Sequence, residues 1–74
     1  MAKKSKNAVY RVTEVIGTSS ESWADAARSA VSTASKSLRD LRIAEVTKLD
    51  VKIENGKVTQ FRTRLSLSFK YMPD

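Results

Sequence analysis

The dipeptide Asn55-Gly56 constrains this chain more than any other feature, because alternating apolar and polar residues run away from it in both directions. Both residues tolerate the positive φ of a type I′ turn, whose twist matches that of two antiparallel strands. After the turn, Thr59, Phe61, Thr63, Leu65, Leu67, Phe69 and Tyr71 alternate with Gln60, Arg62, Arg64, Ser66, Ser68 and Lys70. A period of two with one oily face predicts a strand from Lys57 to Tyr71. Before the turn, Leu49, Val51 and Ile53 face one way and Lys48, Asp50, Lys52 and Glu54 the other, which predicts a partner strand from about Arg42 to Glu54.

Upstream, Ala8 to Ile16 is rich in Val, Tyr and Thr and predicts a first strand. Tyr10, Val12 and Ile16 share one face with Glu14, and Val9 and Val15 share the other with Arg11 and Thr13. Apolar residues on both faces imply contact on both sides, with Glu14 reaching water from an edge. Gly17 is expected to end this strand. Thr18 and Glu21 have the spacing of a capping box, with Ser19 and Ser20 as alternative caps. From there Trp23, Ala26, Ala27, Ala30, Val31, Ala34, Leu38 and Leu41 recur at steps of three and four, which predicts a helix to about Leu41. Its stripe is mostly alanine, so it can lie close on a sheet. Lys36 and Arg39 near its end suit the helix dipole. Trp23, in the first turn, reads as an end plug for the core before it reads as a stacking residue for a ligand.

The order β-α-β-β makes this an α+β fold. A last strand on the order of 40 Å outruns a helix of roughly 30 Å. The excess sheet must curl round the helix or be covered by neighbours, and symmetric oligomerisation is expected. Seventy-four residues also bury only a modest share of their surface alone. With no Cys and no His, the usual nucleophile-activating groups and zinc ligands other than carboxylate are missing, so no enzyme activity is expected. The hydroxyls of Thr18, Ser19 and Ser20 have no base to activate them and serve as caps. No apolar run approaches the roughly 20 residues that span a bilayer, and the N-terminus lacks a signal-peptide core, so a soluble cytoplasmic protein is expected.

Half of the net charge of +6 comes from Lys3, Lys4 and Lys6. That leader reads as a solvated basic tail over residues 1–7, followed by a single domain over 8–74. The remaining charges interleave in sequence and form no phosphate-binding stripe.

Taken together, Val15-Ile16-Gly17-Thr18-Ser19, Ser22-Trp23-Ala24-Asp25-Ala26-Ala27, Ile43-Ala44-Glu45-Val46 and Ser68-Phe69-Lys70 resemble the dodecin family over nearly the whole chain. The resemblance implies a three-stranded antiparallel sheet partly wrapped round one helix, and a hollow homododecamer of cubic symmetry. It also implies storage or buffering of flavin rather than catalysis. Flavin-binding members carry a Trp that stacks on the isoalloxazine ring and a Gln on the last strand that bonds its polar edge. Here Ile43 stands in the place of the Trp and Arg62 in the place of the Gln. Isoleucine has no π-face, and stacking contributes about 0.5–1.5 kcal/mol beyond area burial. Arginine has donors but no acceptor. Flavin binding of the family's usual kind is therefore not expected.

The pairing of Ile and Arg is similar to a branch of dodecins without the flavin pocket, for one member of which bound calcium has been described. The chain has no EF-hand spacing, and Asp50 and Glu54 lie about 13 Å apart along one strand. A metal site would be built across subunits, with Glu45 as the candidate ligand and a simple pairing of Glu45 with Arg62 or Arg64 as the alternative. Arg62 and Arg64 point the same way. They read as an anion site, for a phosphate or a coenzyme A-like cofactor, or as salt bridges to Glu14 or Glu45 of neighbours. The competing classes are a small basic module binding nucleic acid and a structural assembly without a specific ligand. Against RNA binding, the aromatics Phe61, Phe69 and Tyr71 fall on the face a helix should cover.

Overall fold

In a computed structural model describing residues 7–70, the chain forms β1 (Tyr10–Ser19), α1 (Trp23–Ala34), β2 (Leu41–Glu54) and β3 (Lys57–Lys70). The leader lysines Lys3, Lys4 and Lys6, and Tyr71 at the end of the predicted last strand, lie outside the described residues. The three strands form one antiparallel sheet in the order β1-β3-β2, so the strand after the turn is the central one. Asn55 and Gly56 have φ of 52° and 76°, the pair of left-handed residues that the type I′ turn needs.

The inner face of β3 is the core. Thr63, Leu65 and Leu67 are each 1% exposed, under a helix whose Ala26 and Ala30 are also buried. Ala27, Val31, Ala34, Leu38 and Leu41 pack around them, as the alanine-rich stripe predicts.

Two element ends differ from expectation. Gly17 does not stop β1, which continues to Ser19. Gly17 is buried where α1 crosses the strand, and a Cβ there would overlap the carbonyl oxygen of Ala26 and stand 2.9 Å from Ala30 Cβ. Glycine is needed for close approach, not for chain reversal. The helix cap is Ser22, whose Oγ accepts from the Asp25 N–H at 3.0 Å; Thr18, Ser19 and Ser20 lie before it. Ser19 supports that cap by donating to Asp25 Oδ2 at 2.7 Å and accepting from the Glu21 N–H at 2.8 Å.

The helix also ends at Ala34, seven residues short of Leu41. Ser35 and Ser37 donate to the carbonyls of Ser32 and Ala34, so local side-chain bonds compete for the end of the ladder. Asp40, at φ 58°, then turns the chain into β2. Leu38 and Leu41 reach the core from outside the helix, and Lys36 and Arg39 fall beyond its last turn.

Three register shifts in the β2·β3 pair keep the apolar residues on one face. The turn sets even-numbered residues of β2 opposite odd-numbered residues of β3, which suits Ala44 and Val46 opposite Leu67 and Leu65. It does not suit Leu49 and Val51. An extra residue at Thr59 brings these opposite Thr63 and Phe61, and a second at Thr47 restores the first phase. Both spare threonines bond across the ladder, Thr59 to the Lys52 carbonyl and Thr47 to the Arg64 carbonyl. Thr59 accordingly leaves the inner row, where Val58 faces Ile53.

Candidate functional site on the open face of the sheet

Pairing puts Tyr10, Val12, Glu14 and Ile16 of β1 beside Lys70, Ser68, Ser66 and Arg64 of β3, on the face away from the helix. Ile43, Glu45, Lys48 and Asp50 of β2 join them from the other side. All four residues singled out in sequence, Ile43, Glu45, Arg62 and Arg64, therefore stand on this open face, although not at one point.

Ile43 is opposite Ser68 and Arg62 is opposite Asp50. Six residues of β3 separate those rows, about 20 Å at 3.3 Å per residue. One chain does not bring Ile43 and Arg62 to a common pocket. Ile43 is 62% exposed, and Val12 on the far side of Ser68 is 61% exposed. The outer apolar residues of β1 have no cover within the described residues, so the two-sided contact expected for that strand must come from elsewhere.

Arg62 is already occupied. Its Nε donates to Asp50 Oδ1 at 2.7 Å and its Nη2 to Asp50 Oδ2 at 3.1 Å, a two-pronged ion pair. The hydrogen bond from Arg62 holds the Asp50 carboxyl below its ordinary pKa against partial desolvation, and the positive charges of Arg62 and Arg64 add to it. The same bond raises Arg62. Arg64 leans the other way, its Nη1 lying 3.7 Å from Glu14 Oε1. Each arginine thus faces a carboxylate of its own chain, which weakens both for an external anion.

Glu45 pairs with neither arginine; its register partner is Ser66. Glu14 flanks Ser66 from β1, so the two carboxylates leave the sheet on either side of one serine, about 10 Å apart across two strand spacings. Calcium takes six to eight oxygens. Among the described residues no three acidic groups converge that could hold a calcium ion.

Asp50 is the functional side chain that sequence reasoning passed over as a partner for Arg62. Counting pairs back from Asn55-Gly56 places Asp50 opposite Phe61, and only the extra residue Thr59 slides it opposite Arg62. The backbone of Asp50 also anchors the helix, because its carbonyl accepts from Trp23 Nε1 at 3.0 Å. The Trp23 ring meets Phe61 edge to face at 5.1 Å, and Thr63 Oγ1 donates to the Trp23 carbonyl at 2.9 Å. Trp23 pins the start of the helix to the hairpin, as an end plug, on the face opposite Ile43 and Arg62.

Fold and face define a small α+β protein, a three-stranded antiparallel sheet with one helix on its inner face and an open outer face. The dodecin family model matches residues 9–72, and the chain belongs to the dodecin family. It is 44% identical over 66 residues to the calcium dodecin of Mycobacterium tuberculosis, covering 88% of this chain and 92% of that one. Among solved structures, the dodecin of Streptomyces coelicolor superposes with a TM-score of 0.86 at 41% identity, over 95% of this chain and 100% of the other. The M. tuberculosis protein, described as a calcium-chelating antigen with a novel calcium-binding site, gives 0.77 at 42% identity, over 89% and 94%. The dodecin of Streptomyces davaonensis gives 0.83 at 28% identity, over 90% and 98%.

Proposed function

We propose that this chain assembles into a hollow homododecamer that binds or buffers a small ligand or ion without catalysis, and that calcium stands ahead of flavin as that ligand. The observation that carries the choice is the state of the two pocket positions. Ile43 offers no ring to stack on, and the donors of Arg62 are held by Asp50. Losing the stack and the matching acceptor costs flavin about two powers of ten in affinity, at about 1.4 kcal/mol per decade. The similarity to a protein named calcium dodecin supports the ion.

The calcium site draws oxygens from more than one subunit, with Glu45 as the contributor from the open face, because Asp50 and Glu14 already face arginines. Calcium-loaded protein, dialysed and analysed for metal, is expected to retain the ion in proportion to subunits, and Glu45→Gln to lose most of it at unchanged native mass. Free flavin mononucleotide is expected to keep its fluorescence when mixed with the protein. Strong quenching at low micromolar concentration together with no retained calcium would reverse the order of ligands. The double variant Ile43→Trp with Arg62→Gln should gain flavin quenching; an intact shell that still ignores flavin would show the pocket to lie elsewhere.

A further inference from the structure

The turn at the head of the hairpin carries a reactive side chain that neither the fold nor the proposed ligand site uses. The chain has two asparagines, Asn7 before Ala8 and Asn55 before Gly56. The side-chain amide of an asparagine is open to attack by the backbone nitrogen of the next residue, and the closing five-membered ring meets least hindrance when that residue is glycine. At Gly56 the hindrance is absent in space as well as in sequence, because a Cβ built there would meet nothing within 4 Å.

The groups that would react are unpartnered. Glu54 and Lys57 form the last pair of the ladder, so the Gly56 N–H lies outside it and makes no hydrogen bond to another described residue. The Asn55 side-chain amide makes none either. Ring closure requires Asn55 to leave the left-handed conformation it holds at φ 52°, and little resists that opening. Residues 52–59 are all exposed, and Ile53 and Val58, the pair behind the turn, are 63% and 52% exposed. The helix meets the hairpin through Trp23 at Asp50 and Phe61, back from the tip. A tip with so few buried contacts opens locally at small cost.

We infer that Asn55 is a site of self-modification, converting to aspartyl and isoaspartyl residues through a succinimide. The Gly56 nitrogen gives up its proton and bonds to Asn55 Cγ, while the Cγ–Nδ2 bond breaks and the amide leaves as ammonia. Water then opens the ring at either carbonyl. Breaking the bond from the Gly56 nitrogen to Cγ restores the main chain with aspartate in place of asparagine. Breaking the bond to the α-carbonyl routes the chain through Cγ and frees an α-carboxylate. Either way a neutral amide becomes a carboxylate and nothing is oxidised or reduced. The aspartyl product keeps the turn, because Asp-Gly suits type I′ as Asn-Gly does. The isoaspartyl product lengthens the main chain inside a two-residue turn and unseats the pairs Glu54–Lys57 and Ile53–Val58. Lys52–Gln60 lies behind the extra residue Thr59, whose Oγ1 donates to the Lys52 carbonyl at 3.4 Å. The change should stop there and leave the Arg62–Asp50 pair in place.

The test is peptide mapping of the full chain in its native assembly after weeks at mildly alkaline pH, where the attacking nitrogen loses its proton more readily. Trypsin cuts after Lys6, Arg11, Lys52 and Lys57, which isolates Asn7 in residues 7–11 and Asn55 in residues 53–57. The 53–57 peptide is expected to gain the mass difference between a hydroxyl and an amino group and to resolve into two species by retention. Its rate should lie within about tenfold of that in the same chain unfolded in guanidinium chloride, because opening of the tip costs little. Asn7, with a Cβ on the residue after it, should convert at least about tenfold more slowly than Asn55. Gly56→Asp keeps a residue that tolerates left-handed backbone and should slow Asn55 at least about fivefold. A 53–57 peptide that stays unmodified in the folded chain while the unfolded chain converts would overturn the inference, showing that the turn holds Asn55 out of reach. Equal conversion of Asn7, or an unchanged rate in Gly56→Asp, would overturn it as well. The comparison of folded with unfolded parent chain needs no variant, so it decides the matter even if Gly56→Asp disturbs the turn. None of these outcomes depends on calcium, flavin or the number of subunits.

Discussion

The inner faces of β3 and β2 are built from similar residues and meet opposite fates. On β3, Leu65 and Leu67 are 1% exposed. On β2, directly across the ladder, Val46 is 50% exposed and Leu49 52%. The cause is the helix. Twelve residues make about 18 Å of helix against about 46 Å for each fourteen-residue hairpin strand, and α1 lies over β1 and β3. A groove of about 520 Å³ remains between the helix and β2, lined by Ala27, Val31, Ala44, Val46 and Leu65. One strand is thus finished within the subunit and its neighbour is not. The unfinished strand carries Ile43 and Glu45, so the proposed ligand site and the proposed subunit contacts lie on the same edge element.

Gly17→Ala should separate the finished region from the unfinished one with the largest effect. The added methyl overlaps the Ala26 carbonyl, and the helix must lift off β1. A loss of about 3 kcal/mol or more is expected, read as a lowered thermal midpoint by circular dichroism. Leu65→Ala comes next, at about 2–5 kcal/mol for a cavity under the helix. Leu49→Glu probes the other side of the comparison. Half-exposed in the subunit, it should cost the isolated fold less than about 1 kcal/mol while abolishing assembly, seen as a fall in native mass with retained far-ultraviolet dichroism. Equal thermal losses for Leu65→Ala and Leu49→Glu, both at unchanged mass, would erase the distinction.

The smallest effect concerns the Arg62–Asp50 pair. Because the folded pKa of Asp50 is lowered, the stabilisation it gives is complete above its unfolded value, near pH 4, and is lost as pH falls through the folded value. The pair is exposed, so salt should screen it and the change in stability should be slight. Carboxyl chemical shifts should place the Asp50 midpoint below that of an ordinary aspartate, and Arg62→Ala should return it towards that range. An unchanged midpoint in the variant would show that the ion pair is not formed in solution.

The hairpin was legible because its signals are local. Asn55-Gly56 fixes the turn, and the alternation from Phe61 to Phe69 fixes which face of β3 is buried. The helix stripe was legible for the same reason, since Ala26, Ala27, Ala30 and Val31 keep their period without tertiary help. Its ends were not. Ser22 competes with three other hydroxyl residues for the cap, and the stop at Ala34 depends on serine side chains taking backbone carbonyls.

The candidate site was legible only as a set of residues on one face. Which residues meet depends on the extra residues Thr47 and Thr59, and a reading that counts pairs from the turn is one residue out between them. That is why Asp50 was missed as the partner of Arg62, whereas Glu45, beyond Thr47, is back in the counted register opposite Ser66.

The central claim is that the exposed strand is covered by other copies of the same chain, and the native mass of the protein as isolated tests it most directly. Twelve chains of 8.2 kDa give about 98 kDa, and a particle at that mass is predicted, with any discrete excess reporting what is bound. A monomer or dimer would contradict the account, leaving Val46 and Leu49 in water and the ligand site without its second half.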